Sequence, residues 1–162
     1  MYHCLLKTAI GPLALSASDV GLCQISFDPP KEPLDEPKRQ NPILKQACQE
    51  LEEYFLGQRE QFSVALDVTG SDFQMKVYQQ LRQIPYGQTR SYKEIAQALN
   101  KPGASRAVGM ANNKNRLPII IPCHRVIGSN GQLVGFAGGL GVKQQLLELE
   151  RSYSRSAQSI AV

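Results

Sequence analysis

The residues best suited to chemistry are Pro122-Cys123-His124-Arg125-Val126, which follow the apolar run Ile119-Ile120-Ile121. A cysteine is a strong nucleophile only as its thiolate, so a working thiol needs a base or a positive environment. His124 is the neighbouring base. Adjacent residues of an extended segment point to opposite sides, which makes a direct Cys123–His124 hydrogen bond awkward and a bridging water the better link. The imidazole in turn needs a partner to fix its tautomer. Glu150 lies eight residues after Val142, on nearly the same face of the last predicted helix, whose inward stripe reads Val142, Leu146 and Leu149. A buried carboxylate there must find a donor. That makes Cys123, His124 and Glu150 a candidate relay, with a solvated glutamate at a helix end as the alternative.

The elements that would position this relay are mostly helical. Asp72 can cap a helix whose apolar stripe is Phe73, Val77, Leu81 and Ile84, ended by Pro85-Tyr86-Gly87. Ser91-Tyr92-Lys93-Glu94 matches a capping box, and Ile95, Ala96 and Leu99 supply the buried face of the short helix it starts. After the turn Asn100-Lys101-Pro102-Gly103, a second short helix runs from about Ala104 to Asn112. Two helices across a Gly-containing turn resemble a helix-turn-helix. Ala104, Ser105, Ala107, Gly109 and Ala111 are small, whereas base readout in the major groove needs several long hydrogen-bonding side chains. Such a bald helix can approach the DNA backbone or enter a narrow groove, with Arg106 reaching into the stack. Equally, the small residues can serve tight helix packing, with Arg106 on a phosphate.

The first half carries no such signal. Residues 5–10, 13–17 and 22–27 read as short strands, and Phe62, Val64 and Leu66 alternate as another. Residues 28–42, with five prolines, read as a loop. Leu44, Ala47, Cys48, Leu51 and Phe55 then recur at helical spacing until Gly57. The expected fold class is α+β, a small N-terminal sheet-plus-helix domain over 1–70 and a mostly helical C-terminal domain over 71–162, with 151–162 a frayed tail.

Charge separates the same halves. Residues 1–72 hold 6 Lys+Arg against 11 Asp+Glu and residues 73–162 hold 12 against 3, so the halves carry −5 and +9. Between Arg90 and Arg125 seven basic residues face only Glu94, a density that favours a polyanion over a merely solvated face. No apolar stretch is long enough for a membrane span and no secretory leader is evident, so a cytoplasmic protein without membrane contact is expected. Cys4, Cys23, Cys48 and Cys123 show no CxxC spacing and read as reduced thiols. Cys4, Cys23 and His3 could contribute to a metal site, but structural zinc needs four ligands and the chain has two histidines. No metal and no cofactor are expected.

Together, Ser91-Tyr92, Arg106-Ala107-Val108-Gly109, Asn115, Ile121-Pro122-Cys123-His124-Arg125-Val126 and Gly138-Gly139 resemble the O6-alkylguanine-DNA alkyltransferases of the bacterial constitutive type. The likeness is strong over 72–150 and weak over 1–71. It implies a ribonuclease H-like N-terminal domain and a winged-helix-like DNA-binding element. It further implies a monomer that binds double-stranded DNA without sequence preference and flips O6-alkylguanine, and also O4-alkylthymine, from the duplex. The alkyl group then passes irreversibly to Cys123, one turnover per molecule. By the same resemblance His124 is a water-mediated base oriented by Glu150, and Asn115 holds the active-site turn. Tyr92 assists extrusion and donates to the guanine, and Arg106 fills the vacated stack. Val126, Phe136, Ala137, Gly138 and Gly139 line the guanine pocket, while Lys93, Lys101 and Ser129 meet the DNA backbone.

The pattern departs in three places. Tyr78 stands where a tryptophan is common, Phe136-Ala137 where some members have tyrosine and serine, and the zinc ligands of some animal relatives are not all present. Two rivals differ in class. A thiol hydrolase would need an oxyanion hole and leaves the basic bihelical element unexplained; a noncatalytic alkyl-lesion binder would require Cys123 to be inert.

Overall fold

The structure, a computed structural model, describes residues 1–28, 41–136 and 138–160, with side chains of the last helix as far as Ser154. Most of the expected loop at 28–42, and Ala137, lie outside the described residues. The chain divides into two compact units, Met1–Val68 and Thr69–Val162.

In the first unit, strands β1 (Tyr2–Thr8), β2 (Gly11–Ala17) and β3 (Leu22–Ser26) form an antiparallel sheet in the order β1-β2-β3. Helix α1 (Pro42–Phe55) covers it, opened by Asn41, whose side chain accepts from the N–H groups of Ile43 and Leu44. Leu6, Leu13, Leu15, Leu22, Leu44, Leu51 and Tyr54 are fully buried between sheet and helix. The aromatic that closes this core is Tyr54; Phe55, which the sequence pattern favours, is only half-buried.

The strand expected through Phe62, Val64 and Leu66 is reduced to one parallel bridge between Leu22 and Leu66. Its backbone is engaged elsewhere. Buried Glu50 on α1 accepts from the N–H groups of Ser63 and Val64, both at 3.0 Å, and from the Ser63 hydroxyl at 2.7 Å. Burial works to raise the Glu50 carboxyl, but these bonds and one from Gln46 prevail and hold it below its ordinary value. Cys4 and Cys48 bring their sulfurs to 3.6 Å, a thiol hydrogen bond.

The second unit holds α2 (Asp72–Arg82), β4 (Arg90–Ser91), α3 (Tyr92–Ala98), α4 (Ser105–Asn113), β5 (Val126–Ile127) and α5 (Leu140–Ile160). The N-cap of α2 is Ser71 rather than Asp72, because Ser71 and Gln74 satisfy each other's backbone in a capping box. Ser91 and Glu94 do the same for α3. Helix α4 has no side-chain cap, so its start rests on packing against α2 and α3. Two strands not evident in the sequence, β4 and β5, pair in parallel, Arg90 with Val126 and Ser91 with Ile127. They fasten the start of α3 to the segment that follows the cysteine.

Helix α5 differs from expectation in two ways. It continues to Ile160, past the point where fraying is expected. Its buried face is Lys143, Leu146, Leu147 and Glu150 rather than Val142, Leu146 and Leu149. The spacing 143, 146, 147, 150 is a regular helical stripe, rotated from the expected one because two of its members are charged.

Candidate active site

Cys123 sits on a tight non-extended turn. Pro122, at φ −79° and ψ 66°, makes an inverse γ-turn in which the Cys123 N–H donates to Ile121 O at 2.7 Å. Cys123–Arg125 then forms one turn of 3₁₀ helix. The extended geometry assumed from sequence for Cys123 and His124 is therefore corrected: proline fixes the bend immediately before the thiol. Ile119, a β-branched residue at φ 75°, is strained backbone held by burial on every side.

Asn115 spans this turn, donating from Nδ2 to Ile121 O at 2.8 Å and accepting at Oδ1 from the Leu117 N–H at 3.0 Å. Asn112, buried on α4, donates to Cys123 O at 3.4 Å. Cys123 is 4% exposed, and burial pushes its thiol up to about 11. Opposing that rise are the Asn115 side chain, the Lys143 charge and the N–H groups of Cys123 and His124. In the resting pocket the sulfur is protonated.

His124 and Glu150 are both wholly buried, with Nε2 and Oε2 2.6 Å apart. Arg125 Nε and Nη2 donate to Glu150 Oε1 and Oε2 at 2.8 and 3.0 Å, and the Gly87 N–H donates to Oε1 at 3.2 Å. Burial alone would raise the Glu150 carboxyl. His124 and Arg125 outweigh it and hold Glu150 well below the usual carboxylate range. Burial pushes the His124 pKa down against the pull of Glu150. A neutral imidazole facing an ionised carboxylate carries its proton on Nε2. Nδ1 is then a lone-pair acceptor, buried and without a hydrogen-bond partner among the described residues. Gly87, at φ 78°, lies in the left-handed region that favours glycine.

The other residues singled out in the sequence fall into three places. Tyr92, Lys93, Arg106 and Ser129 share one open depression of about 360 Å³ with Val134 and Gly109. Tyr92 donates its hydroxyl to Val134 O at 3.1 Å. Lys101 stands apart from that depression, its ammonium 5.3 Å from the Phe73 ring centroid. Val126 is fully buried directly after the cysteine turn, while Phe136 and Gly138 are half-buried and Gly139 is exposed in the loop that leads into α5. Cys123 does not line the depression.

Sequence reasoning missed the part played by Arg125 and missed Lys143 altogether. Arg125 also donates Nη1 to Ile84 O at 2.8 Å and lies over the Tyr86 ring at 5.7 Å. Lys143 Nζ donates to Val126 O at 2.6 Å and to Val134 O at 2.9 Å. The available signal was the helical spacing of 143, 146, 147 and 150.

Known proteins resemble both units. A family profile described as "6-O-methylguanine DNA methyltransferase, DNA binding domain" matches residues 72–152, and "6-O-methylguanine DNA methyltransferase, ribonuclease-like domain" matches residues 1–68. The methylated-DNA–protein-cysteine methyltransferase of Methanosarcina barkeri is 45% identical over 158 residues, spanning 96% of this chain and 100% of that protein. Its namesake from Mycobacterium leprae is 45% identical over 157 residues, 93% of each chain. Among solved structures, the Mycobacterium tuberculosis O6-methylguanine methyltransferase matches with TM-score 0.81 and 40% identity over 94% of this chain and 93% of that one. Mycobacterium tuberculosis OGT in complex with DNA matches with TM-score 0.81 and 41% identity over 94% of each. With both units matched and relatives aligned over nearly their whole length, the chain belongs to the 6-O-methylguanine DNA methyltransferase family.

Proposed function

We propose that this protein repairs DNA by moving the alkyl group of O6-alkylguanine, and by the same chemistry of O4-alkylthymine, onto Cys123. The observation that carries this reading is the buried set Cys123, His124, Glu150 and Arg125, with His124 Nδ1 as its lone-pair acceptor. Glu150, kept ionised by Arg125, fixes the proton on Nε2 and makes Nδ1 the base. A water relays the thiol proton to Nδ1, and Glu150 stabilises the resulting imidazolium. Burial keeps both thiol and imidazole neutral beforehand, so the proton leaves sulfur as the C–S bond forms. The bond from the alkyl carbon to O6 breaks, the Tyr92 hydroxyl donates a hydrogen bond to the departing guanine, and the proton taken up by His124 returns through solvent to neutralise it.

The lesion carbon lies inside the duplex, so the nucleotide must be everted, at a cost of a few kcal/mol. Arg106 takes the vacated space, and Lys93, Lys101 and Ser129 offset the cost through phosphate contacts. Asn115 keeps the acceptor turn in place, and Val126 with residues 136–139 walls the base. Helix α4 presents Arg106, Ala107, Met110 and, in its last turn, Asn113 to solvent, fewer long polar side chains than sequence readout in the major groove needs. The product is a thioether, which is not a leaving group. A thiol does not displace the alkyl group of a thioether, so each molecule acts once. On this reading the protein works as a cytoplasmic monomer.

Incubation with duplex DNA bearing O6-methylguanine is expected to add one methyl mass to the peptide containing Cys123 and to leave unmodified guanine. Unrepaired DNA beside an unmodified Cys123 peptide would refute it. Cys123→Ala is expected to lose transfer and keep lesion binding.

A further inference from the structure

Met110 on α4 is 62% exposed, the most exposed large apolar side chain of the second unit among the described residues. Single exposed apolar side chains are ordinary on a surface, so its place on the helix decides what it means. At about 100° per residue, Arg106 and Lys114 lie about 40° to either side of Met110 around the helix, and Ala107 and Asn113 about 60°. All four are exposed. Val108 and Asn112, on the far side of the helix, are buried. Met110 is therefore the apex of the outward face.

Arg106, Met110 and Lys114 also stand four residues apart, which sets them in one row about 12 Å long. A cation closes each end and an uncharged thioether lies between. Such a row complements a polyanion, with the cations on phosphates and the apolar chain turned to what lies between the backbones. The DNA minor groove is roughly 6 Å wide, whereas a helix with its side chains measures roughly 10–12 Å across. Only the apex of a helix seated there reaches the floor of the groove. Methionine is long, unbranched and flexible, and it carries no strong hydrogen-bonding group that would favour one base pair over another. Arg106 and Asn113 line the depression that also holds Tyr92, so the apex stands beside the place assigned to base eversion.

We infer that Met110 is a wedge for the minor groove, its side chain entering between neighbouring base pairs, partly unstacking that step and kinking the duplex. Apolar side chains inserted in this way bend DNA. A duplex already opened at one step lowers the further cost of turning a lesion out of the stack. The inference rests on the reading of α4 as the helix that meets DNA and of Cys123 as the alkyl acceptor.

Bending of undamaged DNA tests the wedge without any transfer chemistry. A short duplex with a fluorescence donor and acceptor at its ends is saturated with the full-length protein, and energy transfer between the dyes reports the bend. The parent is expected to raise the transfer efficiency above that of free duplex. Met110→Ala, and Met110→Gln, which keeps the reach but not the apolar character, are expected to give less than half of that rise; Met110→Leu is expected to keep most of it. An exposed side chain contributes little to stability, so all three variants are expected to fold. A parent that saturates the duplex without bending it, or a Met110→Ala protein that bends it as the parent does, overturns the proposal.

A second arm compares single-turnover methyl transfer to Cys123 from O6-methylguanine in duplex and in single-stranded DNA. Met110→Ala is expected to be about tenfold slower on duplex and within about twofold of the parent on the single strand, which has no paired stack to open. Equal losses on the two substrates would mean a general defect of the site and overturn the wedge. If the parent leaves Cys123 unmethylated on both, the transferase reading fails, while the bending arm still judges Met110.

Discussion

Glu150 is where a single atom group decides most. Its two oxygens accept from His124, twice from Arg125 and from the Gly87 N–H. Removing one partner of such a buried pair leaves the other charge uncompensated, at a cost of about 3–5 kcal/mol. Glu150→Gln is therefore expected to lose that much stability in urea unfolding and to slow transfer by freeing the imidazole tautomer. The pH dependence follows from the two lowered groups. His124 has its folded pKa pushed down, so the unfolded chain takes up its proton first, and stability falls as pH drops below about 6.5. Glu150 is also depressed, so its contribution is complete above about pH 4.3 and is lost as pH falls below that. The parent should lose stability in both windows, and Glu150→Gln should be flatter in the lower one. Parallel acid unfolding curves for the two proteins would contradict this.

Among the elements, those with local causes could be read directly from the sequence. Ser91 and Glu94 satisfy each other within one turn, and α3 begins where they do. Glu150 was within reach because a helix repeats, so a residue eight beyond Val142 returns near the same side. Other features depend on distant partners. The ladder lost at residues 63 and 64 depends on Glu50, and the strained Ile119 is unfavourable locally and held only by its surroundings. Nothing local marks Lys143 or Arg125 as buried, because charge ordinarily stays wet; only the finished site supplies the acceptors that let them be buried. Helix α4 gives an expectation at this scale. Ala107, next to Arg106, is exposed, so a leucine there strains nothing in the fold but adds bulk to a helix assigned to a DNA groove. Ala107→Leu should keep stability within about 0.5 kcal/mol and weaken duplex binding at least tenfold. Unchanged affinity would mean that this face does not meet DNA.

At the scale of the whole molecule the governing quantity is charge. The −5 of residues 1–72 offsets only part of the +9 of residues 73–162, and the formal total is +4. Within the basic part Arg125 and Lys143 are buried, whereas Lys93, Lys101, Arg106, Lys114 and Arg116 are exposed. Binding without base readout must draw its affinity from such side chains displacing counterions from phosphates. If about four of them do so, log affinity for undamaged duplex should fall against log salt with a slope near −3.6, roughly a hundredfold between 50 and 200 mM. Lys93→Ala should reduce that slope by about one and weaken all sequences alike. Arg106→Ala should lower lesion transfer more than it lowers binding to intact duplex, because its assigned place exists only once a base has left the stack. A slope near zero, or equal losses on intact and lesion DNA for Arg106→Ala, would separate the basic face from the repair reaction.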